Sequence, residues 1–213
     1  MKYTDLFFDL DGTVTHSAEG ILNSVTYALE RMGIAVPPRE ELTVFIGPPL
    51  IRSFTTLFNL SHEDGERAVE LYREYYWERG IFECYVFDGM EAALRELKAR
   101  GNRITLATCK PTVMAERILS HFGLSELFCM VSGPELDGTR NEKHEVVEYA
   151  MQALGITDPD TVLMIGDRRD DVVGSARCGV KCVGVTWGFG DEEELREAGA
   201  HRVIHRPEEL LKI

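Results

Sequence analysis

Four short apolar runs, separated by amphipathic stretches, restrict this chain more than any other feature. Tyr3 to Phe8, Arg103 to Ala107, Thr161 to Ile165 and Lys181 to Val185 are each bounded by Gly, Asp or Pro. Between the last three lie helical patterns, at Thr112–Phe122, Lys143–Leu154 and Asp170–Cys178, and another occupies Gly89–Arg100. A strand too apolar to face water on either side must be covered on both. The alternation therefore predicts an α/β fold: a Rossmann-like parallel sheet with helices on both faces. Leu127 to Val131 reads as a further strand, and Val203-Ile204 as a short edge.

One interval breaks the rhythm. Residues from about 15 to 87 carry helical signals only. Ile21, Val25, Ala28, Leu29 and Met32 recur at spacings of three and four, which puts them on one helix face. Val69, Tyr72 and Tyr76 do the same further on. Gly47-Pro48-Pro49 punctuates the middle, with Pro49 suited to a helical first turn. An all-helical block between two strands of one sheet reads as an inserted domain. The expected organisation is an α/β core of residues 1–14 and 88–213, with a helical cap of residues 15–87.

Charge narrows the partners. Of 213 residues, Lys and Arg number 23 and Asp and Glu 36, a net charge of −13. Such a surface repels phosphate backbones and anionic lipid, which argues against a nucleic-acid polymer or a membrane as partner. No run approaches the roughly 18 apolar residues of a membrane helix. Met1 to Asp5 reaches Asp9 too soon to hold the apolar core of a signal peptide. The 5 cysteines include no CxxC pair, which suits reduced, buried thiols. A cytoplasmic protein, monomeric or homodimeric, is the expectation.

Candidate chemistry gathers at the ends of the runs. Phe8-Asp9-Leu10-Asp11-Gly12-Thr13 closes the first, and two acids two residues apart on an extended backbone face the same way. Carboxyl ends of strands are where α/β sheets place ligands. Such close carboxylates repel unless a cation or a shared proton relieves them. The plainer reading is a turn built from Asp and Gly. Gly166-Asp167-Arg168-Arg169-Asp170-Asp171 follows the third run. Helix capping accounts for Asp170 and Asp171 but less well for Asp167. Several carboxylates with water suit Mg²⁺. Thr108, with Cys109 after it, opens a helix after the second run and is either a plain N-cap or part of an anion site. Lys143 starts another helix, against the helix dipole, so an anionic partner is one explanation and a solvated surface lysine the other.

Taken in order, Asp9 and Asp11, Thr108, Lys143, then Asp167 and Asp171 resemble the four motifs of the haloacid dehalogenase-like hydrolases. The insertion after the first run, and Val86-Phe87-Asp88-Gly89 where the chain re-enters the core, resemble the phosphoglycolate phosphatase-like branch with its helical cap. The resemblance implies a Mg²⁺-dependent phosphatase acting on a small phosphorylated metabolite, phosphoglycolate or similar. It implies Asp9 as nucleophile forming an aspartyl-phosphate and Asp11 as general acid and base. Asp9, Asp167 and the Asp11 carbonyl would hold the metal. Leu10, Asp11, Thr108, Cys109 and Lys143 would bind phosphate, and Asp171 would orient Lys143. Arg52, after Gly47-Pro48-Pro49, resembles a cap residue that contacts substrate; an ordinary surface arginine is the other reading. An acid able to protonate a leaving alkoxide argues against a dehalogenase.

Two departures stand out. His16 occupies a position near the hinge where many relatives carry an acid, and Asp170 competes with Asp171 for the second acidic role. The family spacing of three residues between the acids favours Asp171. A 5′-nucleotidase, a sugar phosphomutase and, from a different class, a catalytically idle binding protein are the alternatives. His144-Glu145 lacks the second histidine of a zinc helix, and no GxxxxGK[ST] is present. Trp187-Gly188-Phe189-Gly190 reads as a loop with a possible place at the rim of the site.

Overall fold

The strand that carries the first acids is the centre of the sheet. In the computed structural model, which describes residues 3–48 and 50–213, β1 spans Asp5–Phe8 and every one of its side chains is buried. Met1, Lys2 and Pro49, with the readings placed on them, lie outside the described residues. β1 runs parallel to β4 (Arg103–Ala107) on one side and β6 (Val162–Gly166) on the other. β5 (Met130–Ser132) lies beyond β4, and β7 (Lys181–Val185) and β8 (Arg202–Ile204) lie beyond β6. The order is thus β5-β4-β1-β6-β7-β8. Because the chain steps from β1 outward in both directions, a crevice opens at the carboxyl end of β1, the switch point of the sheet.

Helices α4 (Met90–Ala99), α5 (Thr112–His121), α6 (Lys143–Ala153), α7 (Arg169–Arg177) and α8 (Glu192–Glu197) connect these strands. Val146, Val147 and Ala150 of α6 pack with Val172 of α7 and with Phe7, Met164 and Cys182 of the sheet in one buried cluster. The further strand begins later than Leu127: Ser125–Leu127 is a single 3₁₀ turn, and pairing starts only where Met130 meets Thr105. Apolar character alone could not distinguish a buried turn from the strand that follows it.

The chain divides into two compact units, one of Met1–His16 with Val86–Ile213 and one of Ser17–Tyr85. The second is helical. It holds α1 (Ala18–Met32), α2 (Leu50–Phe58) and α3 (His62–Glu78), with 3₁₀ turns at Arg39–Phe45 and Gly80–Phe82. Its core is Val25, Ala28 and Leu29 from α1, Phe45 and Phe54, and Ala68, Tyr72 and Tyr76 from α3. α1 lies directly on the turn at Gly80: a Cβ on Gly20 would stand 1.8 Å from the Gly80 carbonyl oxygen, so only glycine permits the approach. The ends of the range read as helical are not helix. Thr15–His16 and Tyr85–Val86 form a two-stranded ribbon, β2 with β3, too short to show any period in the sequence. Among the described residues, no helix is long and apolar enough to cross a membrane.

Candidate active site

Register brings three loops together. Phe8 lies opposite Leu106 of β4 and Ile165 of β6, so Asp9, Thr108 and Asp167 each leave the sheet at the same end. The Asp9 N–H donates to the Ile165 carbonyl at 2.9 Å, which extends the ladder to the acid itself. Beyond it the chain turns back. Thr13, Val14 and Thr15 all donate their N–H to the Leu10 carbonyl, with Gly12 at φ 87° at the turn.

Lys143 enters this cluster from the start of α6. Its Nζ lies 2.9 Å from Asp9 Oδ1, 2.7 Å from Asp171 Oδ1 and 3.0 Å from the Ala107 carbonyl. The lysine is buried, so the surface reading is excluded. Burial opposes its charge, but the carboxylates of Asp171 and Asp9 outweigh that and hold the ammonium well above its ordinary pKa. Asp171 is equally occupied: its other oxygen accepts the Arg168 N–H at 3.0 Å, in a reciprocal cap of α7. Asp170 is exposed, whereas Asp171 is buried and is the acid that meets Lys143.

Asp167 is fully buried and is held from a loop that the sequence marked only as a possible rim. The Phe189 N–H donates to its Oδ2 at 2.7 Å, and Thr13 Oγ1 donates to its Oδ1 at 3.3 Å. Trp187 Nε1 donates to the Thr13 carbonyl at 3.0 Å and ties the same loop to the turn after β1. Glycine is required for this closeness. A Cβ on Gly188 would stand 2.2 Å from the Gly12 carbonyl oxygen and 2.4 Å from Asp167 Oδ2.

Thr108 is buried, and its Oγ1 accepts the Lys110 N–H at 3.2 Å. Cys109 sits beside it, with its thiol pushed up to about 12 chiefly by burial, so it remains protonated. Lys110 was not singled out in the sequence. Its Nζ lies 2.7 Å from Asp11 Oδ2, and both side chains are largely shielded. A lysine two residues beyond Thr108, at the end of a strand, was the available signal, but a lone lysine in a loop is ordinarily solvated. Arg52 is an exposed residue of α2 in the helical unit.

Four acids here meet two ammonium groups. The imbalance shows in the acids. Burial, with the Asp171 and Asp11 carboxylates and against Lys143, pushes Asp9 up to about 6. Burial, then the Asp171 and Asp9 carboxylates, pushes Asp167 up to about 8, against the Phe189 N–H and Arg168. Oxygens of Asp9, Asp167 and Asp171 all lie within 4.8 Å of one another. Hard oxygen donors with an excess of about two negative charges fit a divalent cation such as Mg²⁺.

A protein-family model described as haloacid dehalogenase-like hydrolase matches residues 6–185. The chain belongs to that family. The family is one of hydrolases, and the proteins this chain is similar to include a predicted phosphatase. A 5′-nucleotidase of Pseudomonas aeruginosa is 42% identical over 205 residues, covering 96% of this chain and 91% of that protein. Tyrosine-protein kinase PtkA of Mycobacterium tuberculosis is 36% identical over 200 residues, covering 94% of this chain and 68% of that protein. Among solved structures, a predicted phosphatase from Clostridium acetobutylicum superposes with a TM-score of 0.94 at 43% identity, covering 100% of this chain and 98% of that one.

Proposed function

We propose that this hydrolase cleaves small phosphate monoesters with the help of Mg²⁺, and that nucleoside 5′-monophosphates come before phosphoglycolate among them. The observation that carries the reaction is the Asp9 carboxylate held by buried Lys143 at the switch point of the sheet. The likeness to the 5′-nucleotidase supports the order of substrates.

Asp9 is the nucleophile. Lys143 fixes its Oδ1 and thereby aims the carboxylate. Asp9 attacks phosphorus, a P–O bond forms to the carboxylate, and the P–O bond to the leaving group breaks. Asp11 delivers a proton to the departing alkoxide. It then takes one from the water that attacks the aspartyl-phosphate, which releases phosphate and restores both acids. Thr108, Lys143 and the backbone N–H groups of Leu10 and Asp11 bind the phosphoryl oxygens as charge spreads over them. Asp171 orients Lys143. Asp9, Asp167 and the Asp11 carbonyl would hold Mg²⁺, whose charge when bound offsets the approach of one anion to another.

A panel of phosphate esters scored by kcat/KM tests this reading, run with Mg²⁺ and after chelation. Nucleoside monophosphates should rank above phosphoglycolate and sugar phosphates, and chelation should silence all of them. Phosphoglycolate at the head of the panel would overturn the order. Full turnover after exhaustive chelation would overturn the role of the metal.

A further inference from the structure

One ion pair in the site has no part in the reaction described so far. Lys110 Nζ lies 2.7 Å from Asp11 Oδ2, with the lysine side chain 7% and the aspartate 18% exposed. The other oxygen, Asp11 Oδ1, is buried and makes no hydrogen bond among the described residues. A buried carboxylate oxygen left without a donor is costly, and sites of chemistry are where such atoms persist.

The backbone beneath Lys110 is gripped from several directions. Its N–H donates to Thr108 Oγ1 at 3.2 Å. The Thr112 N–H donates to the Pro134 carbonyl at 2.9 Å, and Thr112 Oγ1 donates to the Gly133 carbonyl at 3.1 Å. Gly133 is pressed so close that a Cβ there would stand 2.5 Å from the Lys110 carbonyl oxygen. Arg140 Nε donates to that same Gly133 carbonyl at 3.2 Å. A long, flexible lysine therefore starts from a rigid point and reaches Asp11 Oδ2. That arrangement spends side-chain entropy to fix a carboxyl group.

We propose that Lys110 is a positioning residue for leaving-group departure: it anchors Asp11 through Oδ2 and so keeps Oδ1 turned to the oxygen of the departing alcohol. The proposal rests on the assignment of Asp11 as the proton donor. Lys110 adds no step. When the P–O bond breaks and the Asp11 proton passes from Oδ1 to the alkoxide, the carboxylate left behind is already paired with the Lys110 ammonium. Because a displacement of about 1 Å at an acid can cost on the order of 10²-fold, the loss of this anchor should be felt wherever the leaving group needs the proton.

Leaving-group dependence separates this role from a structural one. The first-turnover release of p-nitrophenol from p-nitrophenyl phosphate, a good leaving group, is compared with alcohol release from glycerol phosphate, a poor one. The proteins are wild type, Lys110→Met, Lys110→Gln, Lys110→Arg and Asp11→Asn, each with a thermal melt. In Lys110→Met and Lys110→Gln, alcohol release should slow about 10- to 100-fold more than p-nitrophenol release. Lys110→Arg, which keeps the charge, should recover most of the difference. Should Lys110→Met fail to fold, Lys110→Gln carries the comparison. Equal slowing on both esters in the lysine variants, or none, would overturn the proposal while Asp11→Asn still discriminates between them. An Asp11→Asn protein that treats both esters alike would overturn the proton-donor assignment itself, and this proposal with it.

Discussion

Asp9 and Lys143 show how a single contact can serve both stability and chemistry. Burial raises the pKa of Asp9, so an amide in its place relieves repulsion from Asp171 and Asp11. Asp9→Asn should therefore melt no lower than wild type while its kcat falls below about a tenth, a loss exceeding about 1.4 kcal/mol in the barrier. An Asn variant that keeps more than that would remove Asp9 from the nucleophile's role. Lys143→Met is the opposite case. It leaves two buried carboxylates without their shared ammonium, and breaking a buried pair costs about 3–5 kcal/mol. Both Tm and turnover should fall; a melt unchanged from wild type would contradict the burial of its charge. Cys109 gives a negative control among the thiols. Held as the thiol by burial, it should resist iodoacetamide at pH 8, whereas exposed Cys129 is alkylated, as peptide mass spectrometry can follow.

At the scale of elements, the loop after β7 matters more than its sequence suggests. Phe189 supplies an N–H to Asp167, Trp187 an indole N–H to the Thr13 carbonyl, and Gly188 the room for both. Gly188→Ala should reduce kcat/KM by more than about tenfold, because a 1 Å displacement at a positioned acid is enough. Gly199 is the matched control. Its φ is 92°, but a Cβ there meets nothing within 4 Å. Gly199→Ala should cost about 1 kcal/mol of stability from backbone strain and leave kcat/KM intact. If the two variants behaved alike in the assay, the loop would have no special hold on the site. Arg103 and Asp5 mark the other end of the same sheet. The Asp5 carboxylate is buried, accepts from Thr4 and pairs with Arg103 at 2.6 Å, far along β1 from the acids at its carboxyl end. Acidic residues thus begin and follow one strand, and only those at its carboxyl end meet the catalytic loops.

For the molecule as a whole, the excess of acid in the site sets a pH dependence when divalent cations are removed. In the unfolded chain both carboxyls titrate near 3.8; in the fold Asp9 rises to about 6 and Asp167 to about 8. Between those limits the folded state binds more protons than the unfolded one, so the slope of stability with pH is negative. Chelated protein should accordingly lose Tm as pH rises from about 4 to about 8, with no further loss from these two groups beyond. Saturating Mg²⁺ should flatten that decline, since a ligand bound only by the fold adds stability by mass action. Calorimetry in EDTA and in Mg²⁺ checks both statements. A chelated protein steadily more stable up to pH 8 would contradict the raised values.

The parts of this site legible in one dimension are those set by local spacing. Asp9 and Asp11 share a direction because side chains alternate along an extended backbone. Thr108 and Asp167 declare themselves by standing just past apolar runs, and a parallel sheet brings such ends together. Asp171 was preferred to Asp170 only through the spacing of the family the chain resembles, and the structure adds its 2.7 Å contact with Lys143. Periodicity likewise exposed α1, α3 and α4 to α7, but not α2, α8 or the two-residue strands at Thr15–His16 and Tyr85–Val86. What stayed hidden was every partnership made across the fold. Nothing near Lys110 in sequence announces Asp11, and nothing near Gly188 announces Asp167, because these pairs are joined only where separate loops converge. Charge and close packing act through space, whereas a sequence displays neighbours along the chain, so the contacts that tune the acids exist only once the sheet has assembled.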